Sequence, residues 1–454
     1  MKVLGPGTNV HIVGVGGAGM SGLARLLVES GAHVSGSDQR DSVVLDELRA
    51  LGINVSVGHV SANADHAHVV LWSPAVQVGN IELVRAQRNG ATMLSRSQVL
   101  AELASMRPVI GLTGTHGKTT ATSMMVHVLA ADARDAGRLL GADVLGVGAN
   151  GHWGSGDLVL EVDESYGTFS LLRPHALGIL NVEADHLDHY GTLLVLEQAF
   201  ADLIDRTTGP VVVWSDDDGA RRVASLAHRD VLGVGTRDDT EWQVSNLVVA
   251  KHAASFSLSG GGTSFSLSLN VTGAHNVYDA AVVAVLARTL GVDVDAIVRG
   301  LAAFQGAPRR FQLLGSWRGV DVYESYAHLP GEISAIVSAT HAAGYERITA
   351  VFQPHRVTRT LTLAHEFAPA FDGVANVVVT DIYTAGEPNP TAVTGDIVHR
   401  YIESRGAGVR SIYCADLEDV PNALDRLHDE SDVVLLLGAG NVAWVATHLR
   451  GGFE

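Results

Sequence analysis

Cysteine is almost absent: Cys414 is the only one in 454 residues, which excludes an internal disulfide and a metal site built from several thiolates. Lysine is nearly as scarce. Lys2, Lys118 and Lys251 are the only three, so a phosphate or carboxylate ligand has to be met by a few locally concentrated cations. No run of about 18 apolar residues occurs, and the amino terminus has no charged stretch leading into an apolar core and a cleavage site. The expectation is a chain that neither spans a membrane nor is exported, with the cytoplasm as its compartment. Positive charge is in deficit as well. Against 31 basic side chains stand 49 acidic ones, a net charge of −18 that repels nucleic acid and anionic membranes.

Glycine, at 50 residues, is abundant, and short apolar runs alternate with amphipathic stretches. The runs begin at "VHIVGV" (Val10 to Val15) and continue through "HVSGSD" and "VVLWSPA". This is the α/β pattern of a parallel sheet. It restarts at "RPVIGLTG" and again after "FQGAPRRFQLLGSW", so the chain reads as three α/β domains: 1–105, 106–314 and 315–454. The first and third look Rossmann-like. The central one looks P-loop-like, with a parallel sheet plus a small antiparallel part, because "ASFSLS" and "TSFSLSLNV" alternate strictly around Gly260 to Gly262 and predict a hairpin.

Chemistry concentrates at strand ends. In "VIGLTGTHGKTTATSMMVHVL", Gly114 and Gly117 enclose only Thr115 and His116, two residues short of the standard phosphate-loop spacing. The physics of such a loop is nevertheless intact. An apolar strand feeds a glycine turn at a helix start, Lys118 can neutralise phosphate oxygens, and Thr119 offers a hydroxyl to magnesium, followed by Thr120. In the first domain Gly14, Gly16 and Gly19 form G-x-G-x-x-G, with Asp38 about 20 residues on. That pattern admits a diphosphate, from a nicotinamide dinucleotide or from a nucleotide sugar.

Two acidic clusters, "EVDES" (Glu161 to Ser165) and "NVEADHLDHYG" (Asn181 to Gly191), follow apolar strands, where Glu161 and His186 could ligate Mg²⁺ together with Thr119. His275 and Asn276 sit at a helix start, where an amide could read an adenine edge and where a helix cap is the simpler role for Asn276. Arg309 and Arg310 lie at the second boundary, within reach of phosphate or merely solvated. Arg356 and Arg359 are three residues apart in "FQPHRVTRT" and would share a face if the helix has begun, clamping one carboxylate.

In their order, "GVGGAGMSG", "TGTHGKTT", "EVDES", "NVEADHLDHYG", "GAHNV", "PRRFQ", "YAH", "FQPHRVTRT", "DIYTAGE" and "LLLGAGNV" resemble the Mur ligases over nearly the whole chain, in particular their alanine-adding branch. The resemblance implies an ADP-producing, ATP- and Mg²⁺-dependent ligase that joins L-alanine to UDP-N-acetylmuramate. Gly16, Gly17, Ala18, Gly19, Met20 and Ser21 would cradle the UDP diphosphate, with Asp38 and Ser165 nearby. Gly114, Thr115, His116, Gly117, Lys118, Thr119 and Thr120 would hold ATP phosphates, and His275, Asn276 and Arg310 would also contact ATP. Thr119, Glu161 and His186 would bind the metal, with Lys118, Glu161 and His186 catalytic. Tyr326, Arg356 and Arg359 would receive the amino acid. The resemblance also requires the two glycine turns to open onto a shared space.

The chain departs from the family pattern at "ESYAHLP", where Ser325 and Leu329 replace an acid and a histidine, and at Tyr166, where an acid is common. No lysine lies between Asp188 and Arg206 to be carbamoylated, as is also true of the alanine-adding branch. A murein-peptide recycling ligase, a non-catalytic nucleotide-sugar-binding relative and a nicotinamide-dependent dehydrogenase are the alternatives.

Overall fold

The computed structural model describes residues 4–73, 76–77, 79–406, 408–449 and 452–453, excluding the side chains of Tyr166 and Asp188. Lys2 lies outside the described residues. Three sheets carry the chain.

The first is wholly parallel, built from β1 (Asn9–Val13), β2 (His33–Asp38), β3 (Asn54–Val57), β4 (Val69–Trp72) and β5 (Thr92–Leu94) in the order 3-2-1-4-5. Its order reverses beside β1, which places the β1 turn at a topological switch point, where ligands of open sheets gather.

The second sheet has ten strands: β6 (Val109–Thr113), β7 (Gly137–Leu139), β8 (Gly151–His152), β9 (Leu158–Glu161), β10 (Ala176–Ile179), β11 (Val211–Trp214), β12 (Leu232–Gly235), β13 (Trp242–Val249), β14 (Ala254–Gly260) and β15 (Thr263–Leu269). They lie in the order 15-14-13-12-11-10-6-9-7-8. β6, β10 and β11 are buried along their whole length, so they are apolar without alternation. The expected hairpin is present. β14 and β15 pair antiparallel through the Gly260–Thr263 register, with Phe256 and Leu258 facing the core.

The third sheet comprises β16 (Gln312–Trp317), β17 (Val320–Ser325), β18 (Ile348–Phe352), β19 (Asn376–Thr380), β20 (Arg410–Cys414) and β21 (Val433–Leu437), in the order 16-17-21-18-19-20. Only β16 runs antiparallel to its neighbour; the remaining pairings are parallel.

Two compact units result. One holds 1–248 and 254–305, with the first two sheets; the other holds 249–253 and 306–454. β16 spans the expected 314/315 division, and the main stretch of the second unit begins at Gly306. The junction between the first two domains is the extended Arg107 between the helix Arg96–Met106 and β6.

Within the first unit the two domains are closely joined. The helix Ala18–Glu29 runs against β8 so tightly that a Cβ on Gly151 would collide with the Gly22 carbonyl. Arg25, buried, donates to Asn150 at 2.9 Å and also pairs with Glu47, while the Asn150 amide donates to the Ala18 carbonyl at 2.8 Å. The β1 turn is thereby tethered to the central domain. Among the described residues no helix is long and apolar enough to cross a membrane.

Candidate active site

The Lys118 turn follows β6 and opens the helix Lys118–Ala131. Gly117, the residue before that helix, has φ +82°, a conformation that costs glycine nothing and other residues strain. The first amides of the helix have no intrahelical acceptor and carry the positive end of its dipole, which suits an anion.

Lys118 itself is mostly buried and heavily engaged. Its Nζ donates to the Gly114 carbonyl at 2.8 Å, the Thr115 carbonyl at 3.1 Å and both Glu164 carboxylate oxygens at 3.0 and 2.8 Å. Asp163 stands 3.7 Å away. Burial pushes Glu164 upward despite the lysine. Burial opposes ionisation of Asp163 too, but Lys118, hydrogen bonds from Ser165 and the charge of Arg96 together hold it below the usual carboxylate range. Tyr190 donates to the Glu164 carbonyl at 2.6 Å, and burial together with the two acids raises its phenol to about 12.

The predicted metal ligands fall into two groups. Thr119 donates its hydroxyl to Glu161 at 3.0 Å, and the Gly141 amide donates to the same oxygen at 2.8 Å. His186, with φ +51°, instead shares a cluster with Asp163 and Glu164, whose ligand atoms all lie within 4.8 Å of one another. The expected trio is therefore widened by two carboxylates from the same "EVDES" stretch.

Other predicted residues have structural duties. Asn181 brackets His116, accepting from its amide at 2.7 Å and donating to its carbonyl at 3.1 Å. The buried Thr115 hydroxyl accepts from the Glu183 amide at 2.9 Å, tying the turn to the second acidic cluster. Thr120 is partly exposed on the first helical turn. His275 is exposed; Asn276 does not cap its helix, since Gly273 holds that position and the Asn276 amide donates to the Thr272 carbonyl at 2.6 Å.

In the first domain, the Asp38 carboxylate accepts from the Gly16 amide at 2.9 Å, fixing the glycine turn. Gly17 precedes the helix that Ala18 begins. Met20 is part of the core, and the buried Ser21 hydroxyl donates to the Ala18 carbonyl at 3.0 Å, so these two offer main-chain rather than side-chain groups. Ser165 donates its hydroxyl to Asp163.

Sequence reading missed Arg96. All three guanidinium atoms nearest Gly19 would lie 3.1 Å from a Cβ placed there, and the same cation acts on Asp163, the neighbour of Lys118. Arg96 thus packs against the Gly19 turn and acts through its charge on the acid beside Lys118. Its only sequence signal was a cation at the start of a helix, a position that anions normally prefer.

The second unit holds a separate basic cluster. The helix Val357–Ala370 begins one residue after Arg356, which has φ +69° and is exposed; only Arg359 is helical, so the shared-face expectation gives way to a bend between the two. A non-glycine residue held there is strained, a condition common at ligand clamps. Arg359 donates to His355 Nδ1 at 3.0 Å. Burial, then the charges of His328, Arg359 and Arg356, lower His355 to about 4. His328 is lowered too, chiefly by burial. Tyr326 is exposed beneath the Arg309 guanidinium, 4.7 Å from its ring.

The paired arginines of "PRRFQ" separate. Arg309 is consumed by Glu324 at 2.8 Å and by the Gly438 and Gly440 carbonyls, whereas Arg310 is exposed. At the departures from the family pattern, the buried Ser325 hydroxyl accepts from the Ala327 amide at 3.3 Å, and Leu329 precedes a helix whose Glu332 accepts from the His328 and Leu329 amides. Lys251 does not join the phosphate turn; its Nζ lies 4.6 Å from the centre of the Tyr345 ring within the second unit.

Comparison with known proteins fits this layout. Residues 9–108 match the Mur ligase family catalytic domain, 112–287 the Mur ligase middle domain, and 309–440 the Mur ligase glutamate ligase domain. The UDP-N-acetylmuramate–L-alanine ligase of Thermobifida fusca is 40% identical over 95% of this chain and 94% of its own length. That of Halorhodospira halophila is 37% identical over 98% and 93%. Among solved structures, the UDP-N-acetylmuramate-alanine ligase of Thermotoga maritima superposes with a TM-score of 0.82 at 28% identity, covering 97% of this chain and 98% of that one. A murein peptide ligase from Psychrobacter arcticus shares the fold at a TM-score of 0.68 and 21% identity, covering 98% of each chain. With three consecutive domain matches and near full-length relatives above the threshold of chance likeness, the chain belongs to the Mur ligase family.

Proposed function

We propose that this protein joins L-alanine to the lactyl carboxylate of UDP-N-acetylmuramate at the expense of ATP, releasing ADP and phosphate, as a cytoplasmic step of peptidoglycan precursor synthesis. Family membership supports the reaction class. The observation that carries the assignment of sites is the Arg96 guanidinium, which packs against the Gly19 turn and acts through its charge on Asp163 beside Lys118.

A carboxylate resists attack by an amine. The lactyl carboxylate therefore attacks the γ-phosphorus of ATP, ADP leaves, and the acyl phosphate then loses phosphate to the neutral amine of alanine. Lys118 and the first amides of its helix stabilise charge on the transferring phosphoryl group, where positioning and electrostatics supply most of the catalysis. To do so Lys118 exchanges part of its contact with Glu164 for phosphate oxygens.

Thr119 with Glu161, and His186 with Asp163 and Glu164, are two groups of oxygen-rich donors of the kind that suits Mg²⁺, which when bound would offset phosphate charge. Gly16 to Ser21 and Asp38 receive the UDP end, with Ser165 toward the sugar. His275 and Asn276 serve ATP. Tyr326, Arg356 and Arg359 hold the alanine carboxylate and leave its amine free.

Incubation of the purified protein with UDP-N-acetylmuramate, L-alanine and Mg-ATP should release ADP steadily only when both co-substrates are present. ADP release that ignores either one rejects the reading, and preference for a preformed murein tripeptide over alanine replaces it with the recycling reaction.

A further inference from the structure

The backbone amides of the glycine turn after β1 are not equivalent. Gly16 donates to Asp38 at 2.9 Å, Gly17 to the Gly14 carbonyl at 3.3 Å, and Met20 and Ser21 both to the Gly17 carbonyl, at 2.9 and 2.8 Å. The Ala18 and Gly19 amides have no acceptor among the described residues. They open the helix Ala18–Glu29 at its positive end, so they are the donors that the turn has left for an anion.

The Gly19 amide shares a peptide unit with the Ala18 carbonyl, and that carbonyl is held. It accepts from the Asn150 side-chain amide at 2.8 Å and from the Ser21 hydroxyl at 3.0 Å. A planar peptide unit fixed at its oxygen is fixed at its N–H as well. Donors on the oxygen also polarise the unit and strengthen the N–H at its other end. Asn150 thus acts on one of the two amides free to meet a ligand.

Asn150 reaches this point from the central domain, and it arrives already oriented. It is buried and closes the connection of residues 140–150 between β7 and β8. Its Oδ1 accepts from Arg25 at 2.9 Å; because a guanidinium only donates and a carbonyl only accepts, Nδ2 is the atom that faces Ala18. Its own amide donates to Asp143 at 2.8 Å, and its carbonyl accepts from the Leu140 amide at 2.9 Å. The same connection is pinned elsewhere. Arg138 donates to the Ala149 carbonyl at 2.8 Å, and His127 of the Lys118 helix lies 3.0 Å from the Leu145 carbonyl.

We propose that Asn150 is a positioning residue of the nucleotide-sugar site, holding the Ala18–Gly19 peptide so that the Gly19 amide is aimed at the diphosphate and strengthened toward it. The proposal rests on the reading of the Gly16–Ser21 turn as the UDP end. A side chain of the central domain thereby sets the affinity of a ligand carried by the first domain, and the Lys118 turn is left unaffected.

The experiment is calorimetric titration of full-length wild type, Asn150→Asp and Asn150→Ala with UDP-N-acetylmuramate, and separately with Mg-ATP. Asn150→Asp keeps the volume and the Arg25 contact but turns an acceptor toward the Ala18 carbonyl, whereas Asn150→Ala only removes the donor. The dissociation constant for the UDP-sugar should rise about tenfold in Asn150→Asp and about threefold in Asn150→Ala, with that for Mg-ATP within about twofold in both. A purely architectural residue would give the reverse order, since alanine empties a buried site that the isosteric aspartate fills. That order, equal losses for the two ligands, or unchanged UDP-sugar affinity overturns the proposal. Should Asn150→Asp not fold, the selective loss in Asn150→Ala decides. In wild type labelled with heavy nitrogen at glycine, the Gly19 amide resonance should shift when UDP is added, and a Gly19 amide that ignores bound UDP overturns the proposal whatever the variants do. Failure of the wild type to bind the UDP-sugar at all removes instead the reading of the turn.

Discussion

The Lys118 corner of the first unit and the arginine corner of the second treat charge in opposite ways. At Lys118 the cation is already neutralised, held by a fully buried Glu164 and flanked by Asp163, with two carbonyls completing its shell. At Arg356 and Arg359 no carboxylate makes a close pair among the described residues; Glu332 and Glu387 accept instead from backbone amides and Thr358. Two neutral-leaning histidines, His328 and His355, lie beside the arginines. On the proposed reading an incoming polyanion unlocks the first corner. The second is a positive site open to a single carboxylate, and that difference suits a multiply charged nucleotide in one place and a small amino acid in the other.

The comparison breaks most visibly at Lys118. Lys118→Ala should lower kcat by about three orders of magnitude or more, because the removed charge acts on the transferring phosphoryl group. UDP-sugar affinity, measured by calorimetry, should stay within about threefold. Turnover near the wild-type level would take the lysine out of the mechanism. Next in size, Arg359→Ala should raise the KM for alanine about a hundredfold through loss of a charge-assisted carboxylate contact, with the KM for ATP almost unchanged. Arg359→Lys should rescue little, since a lysine cannot keep both the His355 contact and a fork toward carboxylate. Equal losses for ATP and alanine would place the arginine in the nucleotide site instead.

Much of this layout was legible in sequence because it is local. A strand, a glycine turn and a helix start are consecutive, so the Gly114–Thr120 turn could be read residue by residue, and the strict alternation in "ASFSLS" and "TSFSLSLNV" announced its hairpin. What escaped is long-range. Arg96 meets Gly19 and brings its charge to bear on Asp163, and Asp279 meets Gly117, only after parallel crossovers return distant segments to one edge. The short connection between β13 and β14 shows the same limit. Residues 249–253 belong to the second unit, where His252 pairs with Asp321 at 2.7 Å and Tyr323 donates to the Lys251 carbonyl at 3.2 Å. Nothing in the hairpin's own pattern points there. The separation of Arg309 from Arg310 was also invisible, since adjacent identical residues differ only in the partners the fold supplies.

The smallest expected effect sharpens the contrast at the basic corner and concerns acid rather than mutation. His355 is lowered to about 4, first by burial and then by neighbouring positive charge, so at neutral pH its Nδ1 is free to accept from Arg359. The unfolded chain takes up this proton near the ordinary histidine value of about 6.5. Unfolded protein therefore binds more protons between about 6.5 and about 4, and stability contributed by this group is intact above that window and lost as pH falls through it. Ring resonances of His355 followed by NMR should reach half-titration near 4, and the KM for alanine should show no inflection from this group near 6.5. His355→Gln, which retains an acceptor without a proton to gain, should keep the neutral-pH KM within about threefold and remove part of the acid-induced loss of stability. A histidine that titrates near its ordinary value would mean that the two arginines do not act on it as the geometry requires, and the basic corner would then be better compensated than its contacts indicate.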